Sequence, residues 1–306
     1  MRIFSDVDEF DRIVPGKTAM AFGKFDGLHV GHAMLLQNVL ARREKGLSTL
    51  ALTFDGSFSD YLSGNRSGVL STNSEKEELL RDMGFDFEFV MPLNEKTVSM
   101  EPEDFVEMLA KKLHVSYIAA GPDITFGAGG KGDLELLKKL SEEYSFEVEV
   151  IEKVKLGDEV ISSSLIRGLI ADGKMELAHA VLGRAYSVEG MVTRGRMLGR
   201  KLEMPTVNLS LDPEKLLPPF GVYFSHIFLG TGVFLGITNI GVRPTVSDEK
   251  KVTVESYIYD FDDDVYGETL KVELLHFLRG EKKFDSIDEL KAQMRTDMLR
   301  GRIYFS

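Results

Sequence analysis

Residues 18–45 limit the possible folds more than any other stretch. Thr18 to Phe22 is an apolar run that reads as a strand, and Ala33 to Lys45 reads as a helix with Leu35, Leu36, Val39 and Leu40 on one face. Between them, Gly23-Lys24-Phe25-Asp26-Gly27-Leu28-His29-Val30-Gly31-His32 makes a glycine-rich turn that carries two histidines onto the start of the helix. Backbone N–H groups and the helix dipole favour an anion at such a place. Gly27 and Gly31 allow close approach of the backbone to a bulky one.

The rest of the first half repeats this rhythm. Thr49–Phe54, Phe87–Val90, Tyr117–Ala120 and Phe146–Val154 read as strands, and Ser74–Met83, Glu103–Leu113 and Leu134–Tyr144 as helices. Ser74 with Glu77 three residues on has the form of a capping box, and Pro102 suits a first helical turn. Strands alternating with helices predict an α/β domain with a Rossmann-like, parallel, doubly wound sheet. Ligands in such sheets lie beyond the carboxyl ends of the strands, where residues 23–32 fall.

Two short helices, Ser163–Leu169 and Glu176–Leu182, follow, and after Gly183 the pattern changes. Tyr186–Thr193, Thr206–Leu209, Val222–Leu229, Val233–Thr238, Val252–Tyr259 and Thr269–Phe277 read as strands separated by Gly, Pro or Asp. A closing helix runs from Ser286 to Leu299, with Ser286 as cap and Glu289 as its capping-box partner. The expectation is a small antiparallel β-barrel domain with a C-terminal helix, giving domains 1–184 and 185–306.

Composition removes several classes of function. A formal charge of −12 argues against nucleic acid as a partner. The absence of cysteine rules out disulfides and thiolate metal sites and fits a cytoplasmic protein. The first residues, Met1 to Asp6, carry no apolar core of signal-peptide length. Between Lys215 and Arg243 there is no charged residue, which raises the question of a membrane span. Pro218, Pro219 and the Gly230-Thr231-Gly232 turn favour two strands there instead. Nothing points to a membrane or to an obligate protein partner.

Four groups of residues carry chemistry, and a fifth is excluded. His29 and His32, three apart at a helix start, can both face one ligand and stabilise charge on a phosphate during in-line displacement. Ser162-Ser163-Ser164 with Arg167 is read first as a set of helix caps and second as a triphosphate clamp. Thr206 and Asn208 share one face of a strand, where a hydroxyl and an amide oxygen can hold Mg²⁺ and a phosphate oxygen. Glu255 shares a face with Thr253 and Tyr257 and is either a general base for a hydroxyl nucleophile or a solvated carboxylate. Gly127-Ala128-Gly129-Gly130-Lys131-Gly132 fails as a phosphate loop, because Thr125 stands where its first glycine belongs and Gly132 where Ser or Thr belongs. The histidines His114, His179, His226 and His276 are scattered without metal spacing.

In their order along the chain these motifs resemble the bacterial bifunctional FAD synthetases, which join an FMN adenylyltransferase module to a riboflavin kinase module. The first-module marks are Gly23–His32, Gly121–Gly127 with Gly132-Asp133, and Ile161–Arg167. Those of the second are Gly199-Arg200-Lys201, Pro205–Asn208, Leu217–Tyr223, Asn239–Thr245, Glu255, and Phe277-Leu278-Arg279 through Lys283-Phe284. The resemblance implies phosphorylation of riboflavin to FMN and adenylylation of FMN to FAD, each with ATP and Mg²⁺. It implies catalytic roles for His29, His32, Arg167 and Glu255. It also implies ATP contacts at Gly23, Phe25, Asp26, Gly27, Gly31, Ser164, Gly199, Lys201, Thr206 and Asn208, the last two holding the metal. Flavin contacts are implied at Asp123, Phe126 and Arg279. Two narrower readings stay open: adenylyltransferase activity alone, because Glu203 replaces a usual family glycine, and flavin binding without turnover.

Overall fold

The computed structural model describes residues 1–64, 67–194, 204–243 and 251–306. Its backbone forms two compact units, Met1–Ser163 and Ser164–Ser306. The first unit runs β1 (Arg2–Phe4), α1 (Val7–Ile13), β2 (Thr18–Phe22), α2 (Val30–Ala41), β3 (Ser48–Phe54), α3 (Phe58–Ser63), α4 (Asn73–Asp82), β4 (Phe87–Met91), α5 (Glu95–Val98), α6 (Pro102–Lys111), β5 (Val115–Ala120), α7 (Leu134–Tyr144), β6 (Glu147–Val150), and a short hairpin of β7 (Lys155–Leu156) and β8 (Glu159–Val160).

Six of these strands make a wholly parallel sheet in the order β1-β4-β3-β2-β5-β6. Strand alternation feeds two apolar layers. Met20, Phe22, Leu50 and Leu52 pack on one side with Phe10, Phe105 and Val106. Ala19, Ala21 and Ala51 pack on the other with Leu36, Val39 and Leu80. Burial on both faces explains why β2 and β3 read as unbroken apolar runs. From β2 the chain moves outward through β3 to β4, then returns to the other side of β2 as β5. The strand order thus reverses between β2 and β5, and residues 23–32 leave the sheet at that switch point.

Several local expectations are corrected. Helix α2 begins at Val30, three residues before the apolar stripe suggests, because the His29 side chain caps it. The cap of α4 is Thr72, boxed with Glu75, and not Ser74 with Glu77: Thr72 Oγ1 accepts from Glu75 N–H at 3.3 Å and Glu75 Oε2 from Thr72 N–H at 2.9 Å. Strand β6 stops at Val150, since Ile151 N–H takes the Ala120 carbonyl and β5 offers no further partner. Elements β1, α1, α3 and α5 are too short to show a period in the sequence.

The second unit holds most of α8 (Ser163–Ala171), then α9 (Met175–Leu182), β9 (Tyr186–Thr193), β10 (Val207–Leu211), β11 (Gly221–Leu229), β12 (Gly232–Arg243), β13 (Lys251–Ile258), β14 (Thr269–Gly280) and α10 (Ile287–Tyr304). Its six strands close into a barrel in the order β10-β13-β12-β11-β14-β9, every pair antiparallel. The uncharged segment is the β11–β12 hairpin, turning at Gly230-Thr231 with Gly230 at φ 54°. No helix among the described residues is long and apolar enough to cross a membrane. Strand β12 outruns the expected Val233–Thr238 because its pairing with β13 continues to Arg243, and Gly236 within it is a packing site: a Cβ there would meet Ile227 and the Tyr257 carbonyl. Ser286 caps α10 as expected, accepting from Glu289 N–H, but Glu289 reaches Asp285 N–H instead of the cap's own.

Inside the barrel, Ser225 Oγ donates to Thr238 Oγ1 at 2.8 Å, and Thr238 Oγ1 lies 2.8 Å from Ser256 Oγ. All three are buried. Thr238→Val keeps the shape but strands two hydroxyls away from water. It is expected to destabilise the barrel by about 2 kcal/mol, read as a lower urea midpoint at unchanged slope.

Candidate functional sites

The turn after β2 is strained in a specific way. Phe25, Gly27 and Leu28 all have positive φ, at 45°, 82° and 38°. Two of them are large side chains buried in the core, whose packing holds them in a conformation that costs energy. The outcome is a tight turn, Leu28 N–H to Phe25 carbonyl at 3.0 Å, that delivers His29 to the cap position of α2. His29 Nδ1 accepts from His32 N–H at 3.3 Å, and the two imidazoles stack with centroids 3.7 Å apart. The Phe25 ring meets His32 edge-on at 5.3 Å. Gly31 leaves the His29 ring undisturbed, since a Cβ there would sit 3.2 Å from it and press it aside. No acidic residue occupies the first turn of α2, where the two histidines stand at the helix N-terminus.

Asp26 joins three segments at this turn. Its Oδ1 accepts from Leu70 N–H at 2.7 Å and Ser71 N–H at 3.2 Å, and its carbonyl accepts from Ser163 Oγ at 2.8 Å. That last bond ties Ser163, the last residue of the first unit, to the turn, while Ser164 and Arg167 lie on α8 within the second unit. Gly23 continues the sheet, its N–H donating to the Leu52 carbonyl at 3.1 Å.

Asp123 and Phe126 lie together in sequence but not in environment. Asp123, just past β5, is open to solvent and pairs with Lys153 at 2.6 Å. Phe126 is 6% exposed, with its ring against Phe22 and Phe105. A Cβ on Gly132 would collide with that ring, and one on Gly127 would come within 2.7 Å of Pro102. Close packing of the loop, not a phosphate cradle, accounts for these two glycines.

In the barrel, strand register places the remaining candidates in one row. Asn208 faces Glu255, Glu255 faces Asn239, Asn239 faces Val222, and Val222 faces Arg279. Neighbours opposite one another point to one side of a sheet. Val254, Ser256 and Ile258 are the buried, inward set, so this row lies on the outer surface. Thr206, one residue before β10, brings Oγ1 to 3.5 Å from Glu255 Oε2. Beside it a cavity of about 220 Å³ opens at the barrel mouth, lined by Val192, Pro205, Val207, Ile258, Phe261 and Tyr266 among others. Helix α10 covers the neighbouring outer surface through Met298 and Phe305. Its buried Asp297 takes the Arg279 guanidinium in a two-pronged pair, Nη2 to Oδ2 at 2.6 Å and Nε to Oδ1 at 3.2 Å. Arg279 therefore braces β14 to α10.

Sequence reasoning marked Asn239 as part of a motif but missed its place beside Glu255. Glu281 was missed too: its carboxylate lies against Gly241, where a Cβ would displace it. Pairing register reveals the first neighbour, and packing against Gly241 the second. Gly199, Lys201 and Glu203 lie outside the described residues.

Comparison with known proteins matches both halves. A family profile described as FAD synthetase matches residues 12–165, and one described as riboflavin kinase matches 182–305. A bifunctional riboflavin kinase/FMN adenylyltransferase from Listeria monocytogenes is 34% identical, over 94% of this chain and 92% of the relative. The protein of that description from Escherichia coli K12 is 31% identical, over 100% of this chain and 98% of its own. A crystal structure from Streptococcus pneumoniae, described as a macrolide-efflux protein, superposes with a TM-score of 0.87 at 28% identity, covering 98% of both chains. The two family profiles and these relatives make the chain a two-part transferase. The chain belongs to the bifunctional riboflavin kinase/FMN adenylyltransferase family.

Proposed function

We propose that residues 1–184 carry the FMN adenylyltransferase and residues 185–306 the riboflavin kinase, each with its own ATP site. The chain phosphorylates riboflavin to FMN and adenylylates FMN to FAD and pyrophosphate, as the two matching family profiles support. The kinase half acts through Glu255, which takes the proton from the riboflavin 5′-hydroxyl as that oxygen attacks the γ-phosphoryl group, whose bond to the β,γ-bridging oxygen breaks so that ADP leaves. Thr206 and Asn208 offer only oxygen donors beside Glu255, a donor set that suits Mg²⁺. They would hold the ion, whose charge offsets that of the ATP phosphates. The cavity next to Thr206 is assigned to the nucleoside, with Gly199 and Lys201 contributing from the preceding segment. Arg279 orients the flavin from the edge covered by α10.

In the other half, the FMN phosphate attacks the ATP α-phosphate and pyrophosphate leaves, with no protein nucleophile required. His29 and His32 stabilise the charge that builds there, aided by Ser164 and Arg167. Gly23, Phe25, Asp26, Gly27 and Gly31 shape the ATP turn, and Asp123 and Phe126 form the flavin side, with Phe126 acting from the core. Use of ATP fits a cytoplasmic setting. The observation that carries this reading is the stacked histidine pair at the N-terminus of α2 on the sheet's switch point.

The test is a time course with riboflavin, ATP and Mg²⁺, separating flavins by chromatography. FMN appears without a lag and FAD follows it. A wild-type protein that changes neither flavin would contradict catalysis and leave a binding role.

A further inference from the structure

Lys76 is an anomaly in the first unit. It sits in the first half of α4, is 5% exposed, and faces the sheet where a leucine or methionine would pack without penalty. Its Nζ donates to the carbonyl of Phe54, the last residue of β3, at 3.2 Å. Burial pulls the ammonium below the ordinary lysine pKa, and the carboxylates of Glu88, Asp26 and Asp55, in that order, push it back up. Glu88 is itself buried on β4, with Oε1 accepting from Thr53 Oγ1 at 2.8 Å. A charge in this layer costs folding energy, so its retention points to a task.

The place suggests which one. Asp26 belongs to the histidine turn and takes the Leu70 and Ser71 N–H groups that lead into α4. Asp55 follows β3 and accepts from Leu93 N–H at 2.6 Å. The Phe54 carbonyl that holds the ammonium is the one immediately before Asp55, and Asp26 holds the two N–H groups of the segment leading into α4, so Lys76 is tied by the backbone to both turns, with Glu88 of β4 the carboxylate that acts on it most. We propose that Lys76 is a positioning residue for adenylyl transfer: its ammonium, anchored on the Phe54 carbonyl, balances Asp26 and Asp55 beneath the ATP turn. A polyanion then meets a turn whose negative charge is reduced by one unit. Removing the charge weakens ATP binding through electrostatics while leaving the reacting groups in place.

This inference rests on the histidine turn being the adenylyl-transfer site, which His32→Ala tests separately. The measurement is FAD formation from supplied FMN, with ATP varied. Lys76→Met is expected to raise KM for ATP about tenfold with kcat within threefold, the retained kcat reporting that the first unit is folded, and to leave FMN formation from riboflavin unchanged. Because the chain has no cysteine, Lys76→Cys can be alkylated with bromoethylamine in urea and refolded, restoring an ammonium of nearly the same reach. Aminoethylation is expected to return KM to within threefold of wild type. The proposal is overturned if Lys76→Met leaves KM within twofold of wild type. It is equally overturned if both activities fall together with cooperative unfolding, or if unmodified Lys76→Cys performs as well as the aminoethylated form.

Discussion

His32→Ala is expected to lower FAD formation from FMN by 10²–10³-fold, equivalent to about 3–4 kcal/mol of transition-state stabilisation, while FMN made from riboflavin accumulates. The substitution is clean because the helix start does not depend on the His32 side chain. His29 accepts from the main-chain N–H of residue 32, which alanine retains. Only the imidazole stacked on His29 and edged by Phe25 is lost. In the proposed role, the charge His32 stabilises grows on the α-phosphate as the FMN phosphate arrives, so the loss is expected mainly on kcat. A rise in KM for ATP with kcat unchanged would assign His32 to ground-state binding instead.

Glu255→Gln is expected to lower FMN formation from riboflavin by about 10³-fold, since a positioned general base contributes 10²–10⁴. Glutamine preserves the volume and can still bond the Thr206 hydroxyl, so the neighbouring row of Asn208 and Asn239 stays in register. What disappears is the capacity to take a proton. The loss should shrink as pH rises, because hydroxide takes over the proton that the amide cannot accept. A profile in which the variant and wild type keep a constant ratio across pH would remove Glu255 from that role.

The sequence announces the sheet and the barrel through different signals, and each has a limit. Strands β2 and β3 are unbroken apolar runs because both faces are covered, and six short strands with turn residues between them foretell the barrel. Strand order is invisible, because which neighbour a parallel strand selects depends on crossovers and not on its own composition. Caps expose the same boundary. Ser286 was legible as a cap, whereas His29 lies outside the usual capping residues and moved the start of α2. In the site, His29 and His32 were visible as a spacing. The meeting of Asn239 with Glu255 is a fact of register between β12 and β13. Lys76 was hidden for the opposite reason: a lone lysine in a polar helix is ordinary in a sequence, and only burial makes it informative.

The central claim is that two ATP sites on one chain work independently, one at the switch point of the parallel sheet and one on the outside of the barrel. A crossed assay tests it most directly: His32→Ala supplied with riboflavin and Glu255→Gln supplied with FMN, both with saturating ATP and Mg²⁺. Sites acting separately predict that His32→Ala makes FMN, and Glu255→Gln makes FAD, each within twofold of the wild-type rate. A tenfold fall in either crossed rate, in protein that unfolds like wild type, would contradict the account and mean that the two reactions share a site.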